Sequence, residues 1–188
     1  MTINKIYIIC IDKDKQLDVI HCLLERNKDF VVANQFTTAK EYADIDMSDK
    51  YLYYISEEQL NLDFKNNALL YVITDSDTQE SNGIAIDEFY NSKIIPLSIK
   101  AFNLVKKENL ENSLFVWFDT PMNKSDYSKI DYHVNMIEAK YLLNNINKIQ
   151  DSFLYFSPKD DLKESIDIIM SFFNGDDKTR KQIIKENS

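Results

Sequence analysis

The chain has 188 residues, of which 44% are hydrophobic, and a net charge of -9 at neutral pH. A chain of this length is expected to form one domain, or one domain with a small insertion. Its negative charge argues against general nucleic-acid binding, which requires a basic surface. No apolar run approaches the roughly 20 residues that a membrane span requires. The N-terminus turns polar too early for a signal peptide, and Cys10 and Cys22 are expected to be free thiols, so we predict a cytoplasmic protein.

The first strand and helix are predicted within residues 5–26. Residues 6–11 are apolar and rich in β-branched side chains, which is typical of a strand buried on both faces. After a charged turn, leucine and isoleucine recur at the spacing of one helical face. The helix is expected to begin directly after this turn, with Asp14 in or capping its first turn. Such a strand–turn–helix unit opens many nucleotide-binding α/β folds.

Glycine occurs only at Gly83 and Gly175. Phosphate-binding loops need glycine because their backbone N–H groups must approach the phosphate without side-chain clashes. The chain therefore has neither a Walker A loop nor a dinucleotide-binding turn of the usual form.

The later elements alternate as in an α/β fold. Strands at 6–11, 31–34, 94–98, 114–118 and 152–156 are predicted to form a parallel core sheet, with 114–118 at its centre. Further strands are predicted at 51–55 and 68–74. Helices are predicted at about 57–65, 84–90, 101–107, 139–149 and from the cap at Ser157 to Gly175. Pro96 indicates an edge or an interrupted strand.

The order of these elements resembles guanylate kinase over roughly residues 5–173. Thr37-Thr38 resembles the substrate-binding threonine pair of that family, and residues 54–58 resemble the entry to its substrate-domain helix. Asn82-Gly83 falls where the family has Tyr-Gly before a helix. The resemblance implies a P-loop-kinase-like, three-layer α/β fold with a parallel core sheet and a small substrate-binding-like lobe.

The resemblance also implies a division of the chain. A single guanylate-kinase-like domain is expected at 1–175, with its core at about 1–34 and 91–175 and the small lobe at about 35–90. Residues 176–188 are expected to form a polar C-terminal tail that frays or forms a loose helix.

The phosphate loop implied by the resemblance is degenerate. Cys10 and Lys15 fall at the Walker glycines, Gln16 falls at the Walker lysine, and Leu17 falls at the Ser/Thr that would hold magnesium. Phosphoryl transfer depends on positioning and charge neutralisation. Gln16 supplies no charge and Leu17 supplies no metal ligand. Lys13 and Lys15 are long enough to reach a phosphate but lack a glycine cradle.

The substrate side departs from the family as well. The groove between core and lobe is expected to be lined by the family-matching residues Thr38, Lys40, Tyr53, Asn82 and Ser98. Lys40 stands for the first of two phosphate-binding arginines, and Tyr71 falls at the glutamate that contacts guanine. Between Pro121 and Gln150, where the family carries lid arginines, the sequence has none.

No other chemistry is indicated by the sequence. His21 and His133 have no metal-ligand spacing with a cysteine, so neither a metal nor a cofactor is predicted. The tyrosines at 51, 53 and 54 are interpreted as strand packing rather than as a stacking platform.

Three functions remain open from the sequence. The first is a non-catalytic module that binds a protein or peptide through the former substrate groove, as a pseudoenzyme. The second is a divergent nucleoside monophosphate kinase, and the third is a protein that binds a nucleotide or small anion without chemistry. Nucleotide binding is expected to be weak or absent, with a GMP affinity no better than about millimolar, or roughly 4 kcal/mol. An equally weighted alternative is a groove closed by side-chain packing.

Overall fold

The computed structural model describes residues 2–10, 12–105, 111–119, 152–157 and 159–186. Its strands are β1 (Lys5–Cys10), β2 (Gln35–Thr37), β3 (Leu52–Tyr54), β4 (Leu69–Thr74), β5 (Ser81–Ala85), β6 (Ile94–Leu97), β7 (Ser113–Phe118) and β8 (Phe153–Phe156). Its helices are α1 (Lys13–Arg26), α2 (Glu57–Lys65), α3 (Ile86–Asn91), α4 (Ile99–Leu104), α5 (Leu162–Asn174) and α6 (Asp177–Glu186). Short 3-10 turns occupy Lys40–Tyr42 and Ser48–Lys50. The predicted helix at 139–149, the lid segment and His133 lie outside the described residues.

The core is a four-stranded parallel sheet in the order β6-β1-β7-β8. β7 is buried along its whole length and lies between β1 and β8, which confirms its predicted central position. Side chains of β1 alternate between two apolar clusters, because successive residues of a strand point to opposite faces. Ile6 and Ile8 pack with α1 and α5, whereas Tyr7 stacks on Phe115 in the other cluster at a centroid distance of 5.1 Å. This two-sided burial explains the continuous apolar run in the sequence.

The predicted core strand at 31–34 is wrong. Only Val32 bridges to Ile94, beside the outer strand β6, before the chain enters β2 of the second sheet. The edge position predicted from Pro96 is confirmed, since β6 is the last strand of the core sheet. An edge strand tolerates a missing backbone donor because one of its sides has no continuous strand partner.

A second, mixed sheet has the strand order β3-β2-β5-β4. β2 runs parallel to β3 and antiparallel to β5, and β4 pairs antiparallel with β5. The predicted helix at 84–90 starts late: Ile84 belongs to β5, and the helix begins at Ile86. Gly83 lies inside β5. A Cβ there would collide with the Tyr71 carbonyl oxygen and with the ring of Phe36, so the strand requires glycine at this position.

The two C-terminal helices pack against the core. α5 is capped by Asp161, whose carboxylate accepts a hydrogen bond from the Glu164 N–H at 3.0 Å, so the predicted cap at Ser157 is wrong. The end of α5 at Gly175 is confirmed. Of the two forms expected for the tail, the structure has the helix, which is α6. Arg180 of α6 donates a hydrogen bond from Nε to the Phe172 carbonyl of α5 at 2.9 Å. None of the described helices has the length and apolar character needed to cross a membrane.

Candidate functional site

The N-terminus of α1 is capped by a carboxylate of the chain itself. β1 ends at Cys10, and α1 begins at Lys13 with Asp12 as its N-cap. The Oδ1 atom of Asp12 accepts hydrogen bonds from the backbone N–H groups of Asp14 at 2.9 Å and Lys15 at 3.1 Å. Of the two places expected for Asp14, the structure has it in the first turn and not at the cap. The predicted start directly after the charged turn is wrong, because the helix begins within that turn. Free N–H groups at a helix N-terminus are the groups that would receive a phosphate, and here Asp12 holds two of them.

The side chain of Gln16 connects α1 to the core sheet by hydrogen bonds. Its Nε2 donates to the Ile8 carbonyl of β1 at 2.8 Å and to the Leu97 carbonyl of β6 at 3.1 Å. Gln35 of β2 donates to the adjacent Pro96 carbonyl at 3.2 Å, which joins the second sheet to the same strand end. The residue at the Walker lysine position is therefore engaged with main-chain acceptors.

The two lysines of the degenerate loop occupy different surroundings. Lys15 Nζ lies 5.8 Å from the centroid of the Phe118 ring, over the end of β7. Lys13 is exposed. Leu17 is half-buried and lines a cavity of about 190 Å³ between α1 and the second sheet, together with Met47 and Tyr51. Lys13 therefore lines a cavity next to Leu17, whereas Lys15 lies against an aromatic ring of the core sheet.

A second cavity, which we name the inter-sheet cavity, lies between the core and the second sheet. It measures about 200 Å³ and is lined by Cys10, Lys13, Gln16, Gln35, Tyr71, Ile73, Asn82, Ser98 and Lys100. It brings three residues of the degenerate loop together with two of the five predicted groove residues. Sites for drug-sized ligands usually measure about 300–1,000 Å³, so this cavity suits at most a small ligand.

The chemistry of the inter-sheet cavity differs from that of a guanine site. Tyr71 is buried, and burial raises its pKa, so its side chain is a neutral phenol where the resemblance implies a carboxylate. The Ser98 hydroxyl caps α4 by accepting from the Ala101 N–H at 3.1 Å. The cationic side chains that line the cavity are those of Lys13 and Lys100. The cavity can offer hydroxyl, amide and ammonium groups, but the described lining contains no carboxylate to read a guanine edge.

The other three predicted groove residues lie elsewhere. Thr38 is buried, and its N–H and Oγ1 exchange two hydrogen bonds with the Ser81 backbone, at 2.9 and 2.8 Å. Lys40 is exposed in a 3-10 turn and is not among the described residues that line these cavities. Tyr53 lines a separate cavity beside β3. The structure therefore distributes the five residues over several places instead of one groove.

The cap of α1 gives a stability prediction with a matched comparison. Asp12→Ala should lower the free energy of unfolding by about 1 kcal/mol, because two first-turn amides lose their acceptor. Asp161→Ala, which removes the cap of α5, should have a similar effect, whereas Asp12→Asn should cost only a few tenths of a kcal/mol. Urea unfolding followed by circular dichroism measures all three. An unchanged stability in Asp12→Ala would mean that the carboxylate does not hold the helix start.

The class of fold follows from the two sheets and their connections. The core is a parallel sheet with helices on both faces. The second, mixed sheet consists of β2 to β5, which follow α1 and precede β6 in the sequence. Together they form a P-loop-kinase-like α/β fold. This confirms the predicted fold class, while the exact division into core and lobe remains a prediction.

Among solved structures, the chain is similar to the guanylate kinase of Anaplasma phagocytophilum. The TM-score is 0.59 at 12% sequence identity, over 98% of this chain and 95% of that one. At this identity the similarity establishes a guanylate-kinase-like fold. No protein-family model matches the chain, and no curated protein sequence matches it.

Proposed function

We propose that this chain is a non-catalytic, guanylate-kinase-like module that acts by binding a protein or peptide partner in the cytoplasm. One observation carries the proposal: side chains of the chain itself form hydrogen bonds at the N-terminus of α1, where a triphosphate would bind. Asp12 places a negative charge on the amides that a triphosphate would need, and Gln16 donates to Ile8 and Leu97 instead of carrying a cation. A triphosphate approaching this turn would meet a carboxylate, which repels it.

The remaining chemistry of the site supports the same proposal. Leu17 provides no oxygen for magnesium at the position where the resemblance implies a hydroxyl. Cys10 and Cys22 are both free thiols, as a reducing compartment favours.

Turnover tests the absence of catalysis. The purified chain is incubated with magnesium ATP and each of the common nucleoside monophosphates, and ADP formation is followed. We expect no transfer above that of Gln16→Ala, provided that circular dichroism shows this variant to be folded. Transfer to GMP or another monophosphate that exceeds the Gln16→Ala rate would establish the alternative, a divergent nucleoside monophosphate kinase.

The inter-sheet cavity gives an expectation for GMP. Without a guanine-reading carboxylate, GMP should bind with a dissociation constant no better than about 1 mM. Amide chemical shifts of Asn82 and Ser98, which line the cavity, and of Thr38, Lys40 and Tyr53, which lie elsewhere, measure the binding and its location. Saturation at micromolar GMP would contradict this expectation and favour the nucleotide-binding alternative.

A further inference from the structure

A cavity of about 570 Å³ lies at the β3 edge of the second sheet. We name it the β3-edge cavity. Its walls come from β3, from the loop that contains the two 3-10 turns, and from Asn34 and Glu88. It shares no lining residue with the inter-sheet cavity, and no residue of the degenerate loop lines it. Tyr42, Met47 and Leu52 also line the cavity beside Leu17, so these two cavities adjoin.

The charges of the β3-edge cavity are negative. Asp46 and Glu88 line it, and its described lining includes neither lysine nor arginine. The Ser48 N–H donates to Asp46 Oδ1 at 2.9 Å, and this bond holds the pKa of the carboxyl below its usual range. Glu88 Oε2 accepts from the N–H and the side-chain amide of Asn34 at 3.0 and 3.2 Å. Among the described residues, neither carboxylate forms an ion pair.

Aromatic rings form much of the remaining wall. Tyr42, Tyr53 and Tyr54 all line the cavity and are half-buried. Burial, together with the negative charges of Glu88 and Asp63, raises the pKa of Tyr53, so its hydroxyl stays protonated at neutral pH. Ile45, which is 55% exposed, adds an apolar surface at the cavity.

The carboxylates and tyrosine rings of the β3-edge cavity are complementary to the side chain of arginine. The planar guanidinium of arginine stacks on aromatic rings and donates paired hydrogen bonds to carboxylates. A phosphate or nucleotide would be repelled by Asp46 and Glu88, and a purely apolar segment would supply no cation for either carboxylate.

We propose that the β3-edge cavity binds an arginine side chain presented by a peptide segment of a partner protein. The guanidinium lies between the tyrosine rings and donates to Asp46 and Glu88, while the flanking residues of the segment pass over Ile45. This inference rests on the proposed function as a partner-binding module. It names the chemistry of the partner and a contact that includes Tyr53, one of the five predicted groove residues.

The test compares a short arginine peptide with an uncharged peptide of the same shape. Isotope-labelled protein is titrated with N-acetyl-Gly-Arg-Gly-amide, and in parallel with the same tripeptide carrying citrulline, which has the shape of arginine but no charge. Amide shifts should be confined to the neighbourhood of Asp46, Tyr53 and Glu88. The citrulline peptide should bind about tenfold more weakly, and the arginine peptide should weaken as salt is raised.

Variants separate a specific site from general attraction to an acidic protein. Asp46→Asn and Glu88→Gln should each weaken the arginine peptide by about fivefold. Asp77→Asn removes an exposed charge from the β4–β5 turn, which is not part of the cavity, and should leave the affinity unchanged.

Three results would overturn the inference. They are the absence of shifts at about 20 mM arginine peptide, equal binding of the citrulline peptide, and equal weakening by Asp77→Asn. These failures are distinguishable from failure of the proposed function, because transfer of phosphate from ATP would overturn that function whatever the peptide does.

Discussion

Gly83→Ala should lower the free energy of unfolding by about 3 kcal/mol, among the largest effects expected for one added methyl group. The new Cβ would lie 2.6 Å from Cζ of Phe36 and would also collide with the Tyr71 carbonyl oxygen. That carbonyl belongs to the backbone of β4, and Phe36 is buried, so neither can move away without disturbing the second sheet. The loss should appear in urea unfolding as a lower midpoint with an unchanged slope.

The neighbouring residue provides the control. Asn82 lies in the same strand but is exposed, so Asn82→Ala should change stability by no more than about 0.5 kcal/mol. Similar stabilities for Gly83→Ala and Asn82→Ala would mean that β5 does not approach β2 and β4 as closely as described.

Gln16→Glu should lower the free energy of unfolding at neutral pH by about 3 kcal/mol. A carboxylate would replace the amide that donates to the carbonyls of Ile8 and Leu97, and three acceptors would then face one another. Burial beside these carbonyls should raise the folded-state pKa of the new carboxyl. The folded state then binds its proton more tightly than the unfolded state, so the lost stability should return as the pH falls toward the unfolded pKa of about 4.3.

Gln16→Met separates the added charge from the lost hydrogen bonds. It is similar in length and uncharged, so it should cost about 1–2 kcal/mol with no pH dependence of its own. Unfolding at several pH values measures both variants. Equal losses and equal pH profiles for the two would show that the side chain of residue 16 does not face the carbonyls.

The core sheet was predictable because its strands are buried on both faces. β1 and β7 show this burial as continuous apolar runs, a pattern that needs no tertiary information. The place of Gly83 inside β5 could not be predicted from the sequence, since glycine serves both turns and close backbone approaches. The contact that decides between them involves Phe36, which is distant in sequence.

The site was less predictable than the fold. Asp12 has the residue type of an N-cap, and its position three residues before Lys15 could have indicated the true helix start. Thr38 matched the family pattern, but its hydrogen bonds to Ser81 join residues 43 apart in sequence, which no local pattern reveals. The β3-edge cavity was missed because its tyrosines also have the composition of a packed strand.

Whether the start of α1 holds a triphosphate is measured most directly by calorimetric titration of magnesium ATP into the native chain. Because Asp12 accepts from two of the N–H groups that would receive the phosphates, and Gln16 supplies no cation, we predict no saturable binding below about 1 mM. Asp12→Gly, which frees the two amides but adds no cation, should also fail to bind. Saturable binding at micromolar ATP that is lost in Gln16→Ala would contradict the account that the start of α1 no longer binds a triphosphate.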